Sequence, residues 1–251
     1  MKNPPVILLT GASGGVGQAA AQACAQQGAR IAVHFHNNQE AADNLMRDLP
    51  GTGHQCFKAD ITDPEAVQQL VNQVCTDMGQ LDVLINNAGV SERHDIANID
   101  YATWQATWQR IVDTNLTAAA NLSYCAAQKM LTQGGGRIVN VSSRGAFRGE
   151  PNMPWYGASK AGLNAMGQSL AQALGDKNIY VYTVAPGFIE TPMAAEVLAG
   201  AGGDAVRQQS TLGRVAQPEE VGEVIRYLAM DAPAFMTGAI VDVNGASYLR
   251  T

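Results

Sequence analysis

Short, nearly unbroken apolar runs punctuate this chain, and between them hydrophobic positions fall at helical spacing. The runs at 6–9, 30–35, 54–59, 81–85, 138–141, 179–184 and 239–243 read as strands. Continuous apolar character, rather than alternation, marks a strand covered on both faces. The stretches 18–27, 39–49, 63–78 and 101–133 read as helices, as do the segment carrying Tyr156 and Lys160 and the one opened by Gln217-Pro218-Glu219-Glu220. Asp63-Pro64-Glu65 sets an N-cap ahead of a proline at the first helical position. Strands alternating with crossover helices predict an α/β fold, a doubly wound parallel sheet of about seven strands with helices on both faces. Neither a linker nor a repeat interrupts the alternation, so a single domain over 1–251 is expected.

Composition narrows the function classes. With 46% hydrophobic and 15% charged residues, the chain reads as globular rather than disordered. A net charge of −6 supplies no basic field for nucleic acid or an anionic membrane. No apolar run approaches a membrane span, and the opening MKNPPVILLTG is too short for a signal peptide, so a cytoplasmic location is expected. Cys24, Cys56, Cys75 and Cys125 lie far apart without a CxxC pair, which fits reduced thiols. The histidines form no metal-ligand pattern, and no metal is expected.

The first strand runs into Thr10-Gly11-Ala12-Ser13-Gly14-Gly15-Val16-Gly17, and an alanine-rich helix follows. Strand, glycine turn and helix together bring backbone N–H groups and the positive end of a helix to a pyrophosphate. Glycines matter because a Cβ would hold the ligand away. At the end of the second strand, dinucleotide folds that bind NAD place a carboxylate on the ribose 2′-OH. Here the strand ends Phe35-His36-Asn37-Asn38. The missing carboxylate removes a repulsion for a 2′-phosphate, and His36, Asn37 and Asn38 can donate hydrogen bonds to it. NADP(H) is therefore favoured over NAD(H), although neither Arg nor Lys stands at this position.

Between Gly136 and Ala165 a buried strand ends at Ser142-Ser143, a Gly- and Pro-containing loop follows, and then comes the helix with Tyr156 and Lys160. Residues four apart share a helix face, so Tyr156 and Lys160 stand about a turn from each other. If the strand end delivers Ser143 to the same place, three groups suited to moving a proton converge.

Taken together, TGASGGVG at 10–17, Asp60, NNAG at 86–89, Asn115, Ser143, Tyr156-x-x-x-Lys160 and the Pro186-Gly187 turn resemble the short-chain dehydrogenase/reductase family. The resemblance spans about Pro5 to Tyr248 and is nearest to the branch with the 3-oxoacyl-carrier-protein reductases, through APGFIET at 185–191 and the ending PEEV…TGAIVDVNG. Gly245-Ala246 stands where that family closes with two glycines. The resemblance implies a Rossmann fold and hydride transfer between a nicotinamide and a carbonyl or alcohol carbon.

It also implies residue roles. Tyr156 would be the acid/base, and Ser143 would hold the substrate oxygen. Lys160 would lower the Tyr156 pKa and bond the nicotinamide ribose, while Asn115 would position a water linking Lys160 to solvent. Gly11, Ser13, Gly14, Gly15, Val16 and Gly17 would cradle the pyrophosphate. Asp60 and Ile61 would meet the adenine, and Asn87, Ala88 and Gly89 would pass along the ribose, with Asn86 bracing the sheet. Pro186, Gly187, Ile189 and Thr191 would hold the nicotinamide.

Specificity is expected in 90–94, 144–155 and the segment at about 191–212, whose helix formers broken by glycines suit a lid. Trp155 and Phe188 are expected to offer apolar surface near the reacting centre, and Arg148 and Glu150 to pair with each other. The stretch 132–136 carries no cation, though Lys129 and Arg137 flank it. With the overall acidity, this favours a small free carbonyl or alcohol substrate over one carried on an acidic protein. A 3-oxoacyl-carrier-protein reductase, or a catalytically silent NADP-binding regulator, are the competing readings. Apolar residues on several helix faces, Ala118, Ala119, Ala120, Ala126, Ala127, Leu163, Met166 and Leu170, suggest subunit packing, and the family implies a homotetramer.

Overall fold

A computed structural model of the chain describes residues 4–250. Residues 1–3 and 251, included in the single-domain expectation and in the reading of the N-terminus, lie outside the described residues, as does the side chain of Met193 in the lid-like segment.

Seven strands form one sheet: β1 (Val6–Leu9), β2 (Arg30–Phe35), β3 (Gln55–Lys58), β4 (Val83–Asn86), β5 (Gly136–Val141), β6 (Ile179–Pro186) and β7 (Ile240–Val243). Their order is β3-β2-β1-β4-β5-β6-β7, and every adjacent pair is parallel. The helices are α1 (Gly15–Gln26), α2 (Gln39–Asp48), α3 (Pro64–Met78), α4 (Tyr101–Val112), α5 (Ala118–Gln133), α6 (Gly145–Arg148), α7 (Pro154–Leu174), α8 (Pro192–Ala199), α9 (Gly203–Arg207) and α10 (Pro218–Met230). The winding reverses between β1 and β4, and a doubly wound sheet opens its ligand crevice beyond the strand ends at such a point.

The period of two along β1 divides the core. Ile7 and Leu9 pack with α1 and α10, while Val6 and Leu8 pack with α3 and α5, and all four are fully buried. Burial of each such side chain contributes roughly 1.5–3 kcal/mol, which is why this continuous apolar run cannot sit at a surface. Small residues let α1 and α10 approach closely: a methyl group added at Gly222 would stand 2.8 Å from the Ala19 carbonyl carbon. Asn86 does brace the sheet, donating to Asn140 Oδ1 at 2.9 Å and to Ser123 Oγ at 3.0 Å.

Three expectations need revision. The first helix begins at Gly15, earlier than Gln18, because the last glycines of the turn are already helical. Helix faces read as surplus apolar surface are partly spent inside the chain: Ala118, Ala119, Ala126, Ala127 and Leu163 are all buried. The long helical stretch at 101–133 is not uniform either. Asp113–Thr117 form a π-helical turn between α4 and α5, in which the Ala118 N–H bonds Asp113 O. Such turns recur at functional sites, and this one contains Asn115.

Candidate active site

The glycine turn leaves β1 at the reversal point. Gly11 has φ +62°, and a methyl group there would reach 2.9 Å from Ala88 Cα, so only glycine fits between the ends of β1 and β4. At Gly17 a methyl group would stand 2.4 Å from Gly11 O. Thr10 Oγ1 accepts from the N–H groups of Asn87 and Ala88, each at 3.1 Å, and Asn87 Nδ2 donates to Thr10 O at 3.0 Å and Gly11 O at 3.1 Å. Asn87 thus locks the turn to β4. No side chain caps α1, whose first turn carries no acidic residue. Its leading N–H groups therefore face the crevice with the positive helix end behind them, an arrangement that fits a dinucleotide pyrophosphate.

His34, which the sequence reading passed over, supports the same turn. Its Nδ1 accepts from the Gly11 N–H at 3.2 Å and its Nε2 lies 3.1 Å from Ala59 O. These partners require a neutral ring protonated at Nε2. Burial pushes the His34 pKa down to about 4, so the ring stays neutral at ordinary pH.

A cavity of about 880 Å³ extends from this turn to the ends of β5 and β6. Its wall includes Gly11, Ser13, Gly14, Gly15, Val16 and Gly17 at one side, and His36, Asn37, Asn38, Asp60 and Ile61 beyond the end of β2. Asn87, Ala88 and Gly89 form its floor, and Ser143, Tyr156, Lys160, Pro186, Gly187, Ile189 and Thr191 line the other end. All but one of the catalytic and cofactor-binding residues expected from sequence therefore share one space.

Asn115 stands behind the wall. Its Nδ2 donates to Val90 O at 2.9 Å and Ser159 Oγ at 3.2 Å, and its Oδ1 accepts from Val90 N–H at 2.8 Å. The side chain so clamps the start of the 90–94 loop. Gly89 sits between Asn115 and the cavity; a methyl group there would stand 3.3 Å from both Asn115 Oδ1 and Lys160 Nζ. Arg110 and Thr114, one turn apart on the approach to Asn115, line the cavity without having been foreseen. No local motif marks them, because their exposure to the crevice depends on how α4 lies across the sheet end.

Helix α7 carries Tyr156 and Lys160 on its sheet-facing side. Lys160 Nζ donates to Val141 O at 2.9 Å and lies 5.8 Å from the Tyr156 ring centroid. Ser142 Oγ donates to Lys160 O at 3.3 Å, tying β5 to the same helix. Burial lowers the Lys160 pKa to about 8. Burial also raises the Tyr156 pKa, a hydrogen bond with Ser143 pulls it back down, and the Glu150 charge raises it further. Ser143 Oγ also accepts from Gly145 N–H at 3.0 Å.

Asp60 accepts from Thr62 N–H at 2.9 Å and Thr62 Oγ1 at 2.7 Å, which hold its carboxyl below the usual range. His36 Nε2 stands 3.7 Å from Asp60 Oδ2. Asn38 has a second duty as N-cap of α2, its Oδ1 accepting from Ala41 N–H at 2.9 Å. Its amide donors are left for a ligand.

Trp155 does not offer surface to a substrate. It is fully buried, packs edge-on against Trp104 and His94, and donates from Nε1 to Glu92 O at 2.9 Å. Phe188 lies under the Arg144 guanidinium, 5.2 Å from ring centroid to cation, and lines a second, smaller cavity. Arg148 and Glu150 do pair, at 3.8 Å. Among the described residues there is no group of three His, Cys, Asp or Glu able to hold a metal, and no helix long and apolar enough to cross a membrane.

The family model described as enoyl-(acyl carrier protein) reductase matches residues 11–246. The chain is 36% identical over 243 residues to cis-4-hydroxycyclohexanecarboxylate dehydrogenase of Sinomonas cyclohexanicum, covering 96% of this chain and 95% of the relative. It is 34% identical to the 3-oxoacyl-(acyl-carrier-protein) reductase FabG of Thermotoga maritima, over 96% of each chain, and 34% identical to the 3-oxoacyl-(acyl-carrier-protein) reductase of Synechocystis, over 97% of each. With a glycine turn at the β1–β4 reversal facing Ser143, Tyr156 and Lys160 across one cavity, the chain belongs to the short-chain dehydrogenase/reductase family of oxidoreductases.

Proposed function

We propose that this protein is an NADP(H)-preferring oxidoreductase acting on a small, free carbonyl or alcohol compound, with Tyr156 as its acid/base. The observation that carries the reading is the shared cavity, which joins the dinucleotide cradle to the Ser143–Tyr156–Lys160 cluster. A nicotinamide bound there supplies or accepts the hydride. Negative charge then grows on the substrate oxygen, and a proton donor and a second hydrogen-bond donor must meet it. Tyr156 gives the proton, and the Ser143 hydroxyl holds the oxygen. Lys160 restores the proton to Tyr156 and bonds the ribose, with Asn115 helping to hold a water on the path to solvent.

The glycine turn at 11–17 with Ser13 and Val16 holds the pyrophosphate, and Asp60 and Ile61 meet the adenine. Asn87, Ala88 and Gly89 follow the ribose, while Pro186, Gly187, Ile189 and Thr191 fix the carboxamide end. His36, Asn37 and Asn38 receive the 2′-phosphate. Support for a free substrate comes from Arg137, which flanks the cation-free stretch 132–136. It is occupied in donating to Leu228 O at 3.2 Å and lying over Tyr182. The FabG relatives are named for carrier-bound substrates, so an acyl-carrier substrate is the second reading.

Residues 191–212 act as a lid over a single catalytic domain, and the working assembly is a cytoplasmic homotetramer. Exposed Tyr101 and Trp108 on α4 and Tyr124 and Leu131 on α5 support apolar packing between subunits. The test is a panel of free ketones, alcohols and acyl-carrier thioesters run with NADPH and with NADH. Turnover of free compounds with NADPH is expected. Turnover confined to the carrier thioesters, or cofactor binding with no turnover anywhere, would reject the reading.

A further inference from the structure

Immediately after Ser143 the chain buries a second cation. Arg144 is 3% exposed, yet no carboxylate stands within ion-pair distance of it among the described residues. Its partners are neutral: Ser247 Oγ, Gln209 Oε1 and the Phe188 ring. Burial lowers its pKa, with the Arg148 charge acting the same way and Glu150 opposing. A buried cation normally has an anionic partner, because the desolvation penalty is otherwise uncompensated.

The other charges nearby are already matched. Arg214 is bidentate with Glu220, and Arg250 holds Asp242. Within the loop after Ser143, Arg148 faces Glu150 at 3.8 Å, which leaves one positive charge in excess from Arg144, Arg148 and Glu150. Both guanidinium groups also converge on the same atom. Gln209 Oε1 accepts from Arg144 Nη2, and from Arg148 Nη1 at 3.2 Å. An amide oxygen so occupies a place between two guanidiniums that suits a carboxylate oxygen far better. Gln209 itself is exposed and belongs to the lid-like segment, so its side chain can be displaced.

Of the residues at this place, Arg144 is the one joined to the reacting centre, as the residue after Ser143. Ser143 and Gly187 line the larger cavity, and the residues that follow each of them, Arg144 and Phe188, line a smaller one of about 230 Å³. Consecutive Cα atoms are ~3.8 Å apart, so the two spaces are one residue distant along both loops. We propose that Arg144 and Arg148 form an anion site for the carboxylate of the substrate, with Gln209 Oε1 standing in its place when no substrate is bound. The substrate class is then a ketone or alcohol that carries a carboxylate remote from the reacting carbon. This rests on the oxidoreductase reading for the word substrate, but the anion site itself does not.

The test begins with binding. Calorimetric titration with cyclohexanecarboxylate and with cyclohexanecarboxamide, a neutral isostere, should favour the acid by about tenfold, the scale of a charge-assisted hydrogen bond. Arg148→Gln should reduce that ratio severalfold, and Gln209→Glu should abolish it by supplying a competing carboxylate. Then 4-oxocyclohexanecarboxylate should exceed its methyl ester in kcat/KM through a lower KM. Equal binding of acid and amide, or variants that weaken both alike, would overturn the site. An acid preference in binding without turnover of any ketone would keep the site and reject only the oxidoreductase reading.

Discussion

The His34 ring accepts the Gly11 N–H at 3.2 Å, so a buried imidazole sets the first glycine of the turn that leaves β1. Only the neutral ring can accept there. In the unfolded chain the group titrates near its ordinary 6.5, whereas in the folded chain it does so at about 4. As pH falls below 6.5 the unfolded state takes up a proton that the folded state refuses. Stability is therefore full above pH 6.5 and declines down to about pH 4, by an amount of roughly 3 kcal/mol at most. Urea unfolding across this range should show the decline, and His34→Gln should flatten it while lowering stability at neutral pH. The same decline in the variant would assign it to other groups.

Trp155 lies beside Tyr156 in sequence but behaves as core. Its indole is enclosed by Trp104 and His94 and bonded to Glu92 O at 2.9 Å. Trp155→Ala should lower stability by about 3–5 kcal/mol, the range for removing a large buried aromatic side chain. Chemical unfolding checks this. A variant of unchanged stability with altered substrate preference would restore Trp155 to the pocket wall.

These two residues mark the boundary of what the sequence makes legible. Elements set by local chemistry come through: the Asp63 cap and Pro64 start α3, and Asp63 Oδ1 accepts from Glu65 N–H at 2.9 Å. The glycine turn and the four-residue spacing of Tyr156 and Lys160 are equally local. Side-chain fates decided by distant contacts do not come through. Trp155 is apolar and next to Tyr156 whether it faces a substrate or the core, and only the placement of α4 against α7 decides. Arg110 reaches the cavity, and Ala118 and Ala126 are buried, for the same kind of reason. The π-helical turn at Asp113–Thr117 has no compositional mark, since the pattern on either side is ordinary helix. The neutral partners of Arg144, Gln209 and Ser247, lie 65 and 103 residues away.

Tyr156 carries the proton in the proposed reaction, and the Ser143 hydroxyl beside it is a weaker acid. Tyr156→Phe should therefore lower kcat by about a hundredfold to ten-thousandfold, the usual contribution of general acid catalysis. Cofactor affinity should change little, because the dinucleotide cradle at 11–17 is untouched. Fluorescence titration with NADPH alongside steady-state rates separates the two effects. Appreciable residual activity would remove Tyr156 from the acid's role.

His36 decides the cofactor's phosphate in the same proposal. It is half exposed on the cavity wall beyond β2, 3.7 Å from Asp60 Oδ2, with Asn37 and Asn38 beside it. A 2′-phosphate would meet donors from His36, Asn37 and Asn38, while Asp60 Oδ1 accepts from Thr62. Placing a carboxylate at the strand end supplies the missing repulsion and an acceptor pair for ribose hydroxyls. His36→Asp should weaken NADPH binding by about tenfold or more, ~1.4 kcal/mol, and leave NADH binding equal or tighter. Titration of the wild type and the variant with both cofactors checks this. Wild-type preference for NADH, or a variant that loses both cofactors alike, would place the phosphate elsewhere and remove His36 from its recognition.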